Sequence, residues 1–246
     1  ACTTDTDQLF ATDVQTTSLA TYQLNNATTS IPSNTYPGTA TSITYAAGKF
    51  GNAAVFNGSS SVIDIPLNVV SPASAYTVSL WFNCNDITVN QGIFTNIGTS
   101  TQAGEIAINI TGSNQISLYS ATGTNNDVNI LSATPTTSLS NNTWFNLVVI
   151  SDRTLSNRGQ VFINGTEGAY SYNAGPGSNG QYSTAKIGVS DNRYFNGSID
   201  QVRIFNSALS AGNVTSLYNE GTVVESIDGT DSILQFIGGT GDITFS

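Results

Sequence analysis

The chain has 246 residues, 39% of them hydrophobic and only 9% charged, a length that suits one large β domain or two small ones and can bury a substantial core. Six Lys+Arg against sixteen Asp+Glu give a net charge of -10 with no basic run, which argues against nucleic acid as a partner. The absence of His and the presence of only two Cys remove the commonest general base, the commonest metal ligand and any thiolate cluster.

Polarity comes instead from 33 Thr, 30 Ser and 27 Asn, with 23 Gly for turns, while Lys, Glu and Met are scarce. That composition favours strands over helices. No apolar stretch approaches the ~18–20 residues of a membrane-spanning helix, so no membrane insertion is expected.

Residues 1–17 are polar with isolated apolar positions and read as a lead-in segment. In SLATYQL, Ala20, Tyr22 and Leu24 share one face of a strand, and a long Pro-, Gly- and Asn-containing loop follows. A strand is expected around Ser42–Tyr45. Asn57-Gly58, Asn164-Gly165 and Asn196-Gly197 each stand between strand-like runs and predict hairpin turns. Between them AYTVSLWFN, GIFTNIG, GEIAINI, QISLYSA and WFNLVVIS alternate as strands should.

SALSAGNVTSLYNEG departs from that period. Leu209, Val214, Leu217 and Tyr218 fall near helical spacing, with Ser210 as N-cap and Gly221 as the stop. Beyond it, SILQFIGGTGDITFS predicts two strands around Gly238-Gly239. The expected organisation is therefore a lead-in at 1–17, a β-sandwich at 18–221, and a terminal hairpin or the start of a further module at 222–246. One disulfide between Cys2 and Cys84 is allowed, and two separate thiols equally so. Seven Asn-x-Ser/Thr sequons occur, which is about what this composition yields by chance, so they say nothing of glycosylation.

The order of LATYQLNN, AGKFGNAAVFNGSSSVIDIP, YTVSLWFN, WFNLVVISDR with QVFINGTEG, and FNGSIDQVRIFNSALSAGNVTSLYNEG resembles the laminin G-like jelly-roll domains of the concanavalin A-like lectin/glucanase superfamily. The wording is also similar to domains appended to tail, fibre and capsid-surface proteins of tailed phages. The resemblance implies an all-β fold: a two-sheet antiparallel jelly-roll sandwich with one short C-terminal helix. Many such domains bind glycans and some hydrolyse them.

Hydrolysis with retention needs two carboxyls about 5–5.5 Å apart. Of four Glu, Glu105 has Ala107 and Asn109 as same-face neighbours and Glu220 belongs to a helix end, so no acid ladder forms and no enzyme is expected. The resemblance also implies a calcium ion held by Asp200 of NGSIDQV with loop carbonyls. The first loop, NNATTSIPSN, lacks the acid relatives carry, and the competing expectation is a hydrogen-bonded or paired carboxylate beside Arg203.

For sugar recognition the best local cluster is Asp191, Asn192, Arg193 and Tyr194, an aromatic among amide and charged groups at the start of a hairpin. The plain alternative is a solvated β-turn. Tyr170, Tyr172 and Tyr182 could form a second aromatic rim, and Trp81 and Trp144 are expected to pack. The expectation is a non-catalytic surface or adhesion module on a virion or cell exterior. Its partner would be a cell-surface glycan. The alternative is an architectural decoration or spacer inside a larger assembly, and a homo-oligomer is compatible with either.

Overall fold

The computed structural model describes residues 18–31, 33–66, 75–96, 105–121, 127–136, 138–152, 154–155, 159–176, 183–220, 223–228 and 231–236. The alternating segments become β1 (Ser18–Tyr22), β2 (Thr39–Thr41), β3 (Thr44–Ala47), β4 (Asn52–Asn57), β5 (Val62–Ile65), β6 (Ala75–Cys84) and β7 (Gln91–Thr95). There follow β8 (Ile106–Thr111), β9 (Gln115–Ala121), β10 (Asp127–Thr134), β11 (Trp144–Asp152), β12 (Gly159–Ile163), β13 (Thr166–Glu167) and β14 (Ala169–Pro176). The last are β15 (Ala185–Ile187), β16 (Val189–Ser190), β17 (Arg193–Tyr194), β18 (Asn196–Phe205), the helix α1 (Ala211–Tyr218), β19 (Val223–Asp228) and β20 (Asp231–Phe236).

Two antiparallel sheets form the sandwich. One runs β13-β12-β11-β6-β18-β4-β3, with β1 also on β18, and the other runs β14-β10-β9-β8-β7-β15-β5-β2. The period-two pattern decides what lies between them. Tyr76, Val78, Leu80 and Phe82 of β6, Phe145, Leu147 and Val149 of β11, and Ile106, Ile108 and Ile110 of β8 all enter one core. Phe82 and Phe145 face each other across β6 and β11 with ring centroids 5.7 Å apart. Burying each such ring contributes roughly 1.5–3 kcal/mol. Ala20, Tyr22 and Leu24 join this core as their spacing predicts.

The outward face of the first sheet is covered as well. Val148, Ile150, Phe162 and Phe205 point away from the sandwich and bury Leu209, Val214 and Leu217 of the α1 region. Ser210 caps α1, its side chain accepting from the Asn213 amide. Helix geometry ends at Tyr218 with Asn219 as C-cap, and Gly221 lies outside the described residues.

Only one of the three Asn-Gly pairs is a two-residue hairpin turn. Asn164 and Gly165 have φ of 50° and 75° and join β12 to β13, the positive-φ pair that a type I′ turn needs. Asn57-Gly58 instead begins an arch between sheets, since β4 belongs to the first and β5 to the second. Asn57 Oδ1 accepts the amides of Ser59, Ser60 and Ser61, which builds the arch. Asn196-Gly197 lies inside β18, where a Cβ on Gly197 would come within 2.1 Å of the Asn83 carbonyl oxygen. There the glycine serves close strand approach rather than a turn.

β19 and β20 pair with each other with Asp228 opposite Asp231. The expected turn at Gly238-Gly239 lies outside the described residues, as do residues 1–17 and Cys2. Cys84 is buried in the core.

Candidate functional site

After β15 the chain passes Gly188 and folds into the small hairpin of β16 and β17, with Val189 opposite Tyr194 and Ser190 opposite Arg193. Its turn is Asp191-Asn192, both at positive φ (51° and 56°), so an Asp-Asn pair performs the work that Asn-Gly was expected to do five residues later. Asp191 Oδ2 and Arg193 Nη2 are 3.2 Å apart in a partly exposed ion pair, worth at most about 1 kcal/mol in such a setting. Asn192 is exposed and Tyr194 half-buried. The four expected residues thus share one turn, with one aromatic ring partly open to solvent.

The hairpin lies against the outward face of the second sheet at β7. A Cβ on Gly92 would sit 2.0 Å from the Ser190 amide nitrogen and 2.7 Å from the Arg193 carbonyl oxygen, so the absence of a side chain there lets the hairpin dock. Across the strands Gly92 faces Asn109, Asn109 faces Ser117 and Ser117 faces Ser132, one row on that outward face. Ser117 and Ser132 hydroxyls are 3.4 Å apart. The Asn109 amide and the Ser190 hydroxyl are buried without a hydrogen-bond partner in the structure.

The next row runs from Tyr119 through Ala107 and Thr95 to Lys186 and Asp64. Tyr119 is the outward aromatic that sequence reasoning passed over, although the alternation of QISLYSA, with Ile116 and Leu118 in the core, places it there. Asp64 is neutralised by Lys186 and accepts from the Thr184 hydroxyl at 2.5 Å. Glu105 is buried.

The other aromatic candidates separate. Tyr170 turns inward against the core, and its hydroxyl donates to Glu167 at 2.7 Å and accepts from the Val161 amide at 2.9 Å, so it is a brace between sheets. The Tyr172 side chain and all of Tyr182 lie outside the described residues. Trp81 is buried as expected but on the outward face of the first sheet, where Tyr218 stacks on it. Trp144, at the start of β11, is half-buried.

Asp200 is fully buried on β18, next to a bulge at which Gln201 takes φ 52°. It does not pair with Arg203, whose Nη1 reaches both oxygens of Glu220. Instead the Phe50 amide donates to Asp200 Oδ2 at 2.9 Å, with the amides of Lys49 and Gln201 also turned to the carboxylate. Burial outweighs these donors and pushes its pKa up to about 7. Oδ1 is buried without a hydrogen-bond partner. A cation would therefore meet one free carboxylate oxygen here, and the rest of a calcium shell would have to come from carbonyls and water. Among the described residues no three His, Cys, Asp or Glu side chains cluster as a metal site.

A family model described as the concanavalin A-like lectin/glucanases superfamily matches residues 57–215. Among solved structures, domain 4 of AbnA, a GH43 extracellular arabinanase from Geobacillus stearothermophilus determined with arabinotriose, is 27% identical with a TM-score of 0.62. The match covers 82% of this chain and 98% of that domain. The ligand-binding domain of botulinum neurotoxin serotype D, determined with N-acetylneuraminic acid, is 15% identical at TM-score 0.61, covering 85% of this chain and 52% of that one. The binding domain of Paraclostridial Mosquitocidal Protein 1 is 14% identical at TM-score 0.63, covering 84% and 52%. The chain thus spans about half of each toxin domain, and these two likenesses concern the fold alone. No curated protein sequence matches.

Proposed function

This chain belongs to the concanavalin A-like lectin/glucanase superfamily, and from that premise we propose that it is a non-catalytic glycan-binding module. Its site is the Asp191–Tyr194 turn with the outward face of the second sheet beside it. The observation that carries this reading is the docking of the hairpin on Gly92, which sets Tyr194 and the Asp191–Arg193 pair beside a face where Tyr119 and Ser132 are half-buried and Asn109 and Ser117 lie buried beneath the surface. A half-exposed tyrosine supplies a stacking surface, and amides and hydroxyls match sugar hydroxyls as both donors and acceptors. The AbnA domain, solved with arabinotriose, supports a binding role.

Catalysis is not part of the reading. Of the acids at this face, Asp64 is engaged by Lys186 and Thr184, Asp191 is paired with Arg193 and Glu105 is buried, whereas glycoside hydrolysis needs two carboxyls that reach the sugar. The Ser-, Thr- and Asn-rich, Lys-poor composition fits a cell or virion exterior, where the module would attach its parent assembly to a glycan-coated surface. A glycan array with the purified protein tests this, and a spacer or decoration domain would give no saturable binding.

Calcium enters through Asp200 Oδ1 alone. If the ion binds, calcium should raise the thermal midpoint of the wild type and not that of Asp200→Asn, since a ligand bound only by the folded state stabilises it. Equal midpoints in calcium and in chelator would remove calcium from the account.

A further inference from the structure

On the opposite sheet three buried polar groups stand in one row. Asn146 of β11 faces Trp81 of β6, and Trp81 faces Asp200 of β18. The Asn146 side-chain nitrogen and oxygen, Trp81 Nε1 and Asp200 Oδ1 are all buried, and none has a hydrogen-bond partner in the structure. Buried polar atoms are almost always satisfied, so a row of four without partners marks a place where something else supplies the bonds. Neighbouring strands put its members ~4.8 Å apart.

Two rings pack on Trp81: Phe50, buried and edge-on at 5.9 Å between centroids, and Tyr218, which is the removable one. Tyr218, 37% exposed, lays its ring over Trp81 at 6.0 Å between centroids and 25° between planes. It is the final residue of α1, beyond Val214 and Leu217, which anchor the helix, and the Arg203–Glu220 pair fastens the chain just after it. Rotation of an exposed tyrosine is fast, so the ring can leave Trp81 without the helix moving. What it would uncover is an indole face with an indole N–H and a carboxamide beside it. The Lys49 ammonium stands 4.4 Å from the centroid of the same indole. Among the described residues Lys186, Arg193 and Arg203 each have a carboxylate, and Lys49 is in no ion pair.

We infer that this is a second ligand site, for an acidic sugar. The ring takes the place of Tyr218 on Trp81, its hydroxyls satisfy Asn146 and Trp81 Nε1, and its carboxylate pairs with Lys49. An aromatic face, a carboxamide that both donates and accepts, and an unpaired ammonium are the three groups such a sugar requires. The site is independent of the hairpin reading, being on the other sheet and built from other residues.

The chain has two tryptophans, so Trp144→Phe leaves Trp81 as the sole indole reporter. In that background glucuronate, galacturonate and N-acetylneuraminate are titrated against glucose and galactose. The expected result is a saturable change in Trp81 emission with an acidic sugar and none with the neutral ones. Lys49→Gln should weaken it by about tenfold, the loss of one charge-assisted contact, while Tyr218→Ala should tighten it and increase acrylamide quenching of Trp81. Tyr194→Ala should leave the signal intact. No saturable change in either the Trp144→Phe protein or its Tyr218→Ala derivative overturns the site, as does a signal abolished by Tyr194→Ala. An equal response to neutral sugars overturns the acidic class.

Discussion

Arg203 Nη1 lies 2.6 and 2.5 Å from the two carboxylate oxygens of Glu220, joining the middle of β18 to the segment just after α1. Both side chains are 3% exposed. Burial raises the Glu220 pKa even though Arg203 draws it down, a sign that the pair is held in a poorly solvated place. The pair locks the end of α1 over the sheet and so sets where Tyr218 can reach.

Removing one member leaves the other buried and unpaired. Glu220→Ala is expected to cost about 3–5 kcal/mol, measured by urea unfolding, and to loosen α1. Replacing both with apolar residues of like volume should cost much less. A single variant within 1 kcal/mol of wild type would mean that the pair is solvated in solution.

Asp200 makes stability depend on pH in an unusual direction. Its pKa is about 7 folded against 3.8 as the ordinary value, so between these the folded state holds a proton that the unfolded state has lost. Stability should therefore fall as pH rises from about 4 to 7 and level off above. The size is roughly 4 kcal/mol for this group. Asp200→Asn should flatten that slope when denaturation midpoints are followed in chelator, and an unchanged slope would assign it elsewhere.

Gly92 offers a way to disturb the hairpin without touching its residues. In Gly92→Ala the added methyl would overlap the backbone of Ser190 and Arg193, so the hairpin must lift, at a cost of about 1–3 kcal/mol. Hydrogen exchange should report it directly. The Phe195 amide, bonded to the Gly188 carbonyl at 2.8 Å, and the Gly188 amide, bonded to Ile93 at 2.7 Å, should lose protection, and glycan binding should fall with them. Retained protection with full binding would separate the hairpin's docking from function.

Much of this molecule could be read before it was seen in three dimensions. Alternation in AYTVSLWFN and WFNLVVIS set the inward faces of β6 and β11, and Ser210 with Leu209, Val214 and Leu217 set the helix. Asn164-Gly165 formed its expected turn, but the other two Asn-Gly pairs misled because a dipeptide records a permissive backbone, not which sheet the next strand joins. At Asn57 the chain crosses between sheets, and at Gly197 the small residue answers to Asn83, more than a hundred positions away. The environment of Asp200 was hidden for the same reason. Its donor, the Phe50 amide, is 150 residues distant in sequence. Tyr119 was within reach of simple alternation, and Gly92 was not, since its role depends on a hairpin folding back over it.

Tyr194 tests the binding face most directly. The measurement is titration of the wild type and of Tyr194→Ala with the glycans that score on an array, each accompanied by an unfolding curve. Because the ring is half-buried, truncation should cost well under the ~3–5 kcal/mol of a core aromatic, while saturable binding at the hairpin should be lost. Unchanged binding with unchanged stability, or no saturable binding by the wild type at all, would contradict the account.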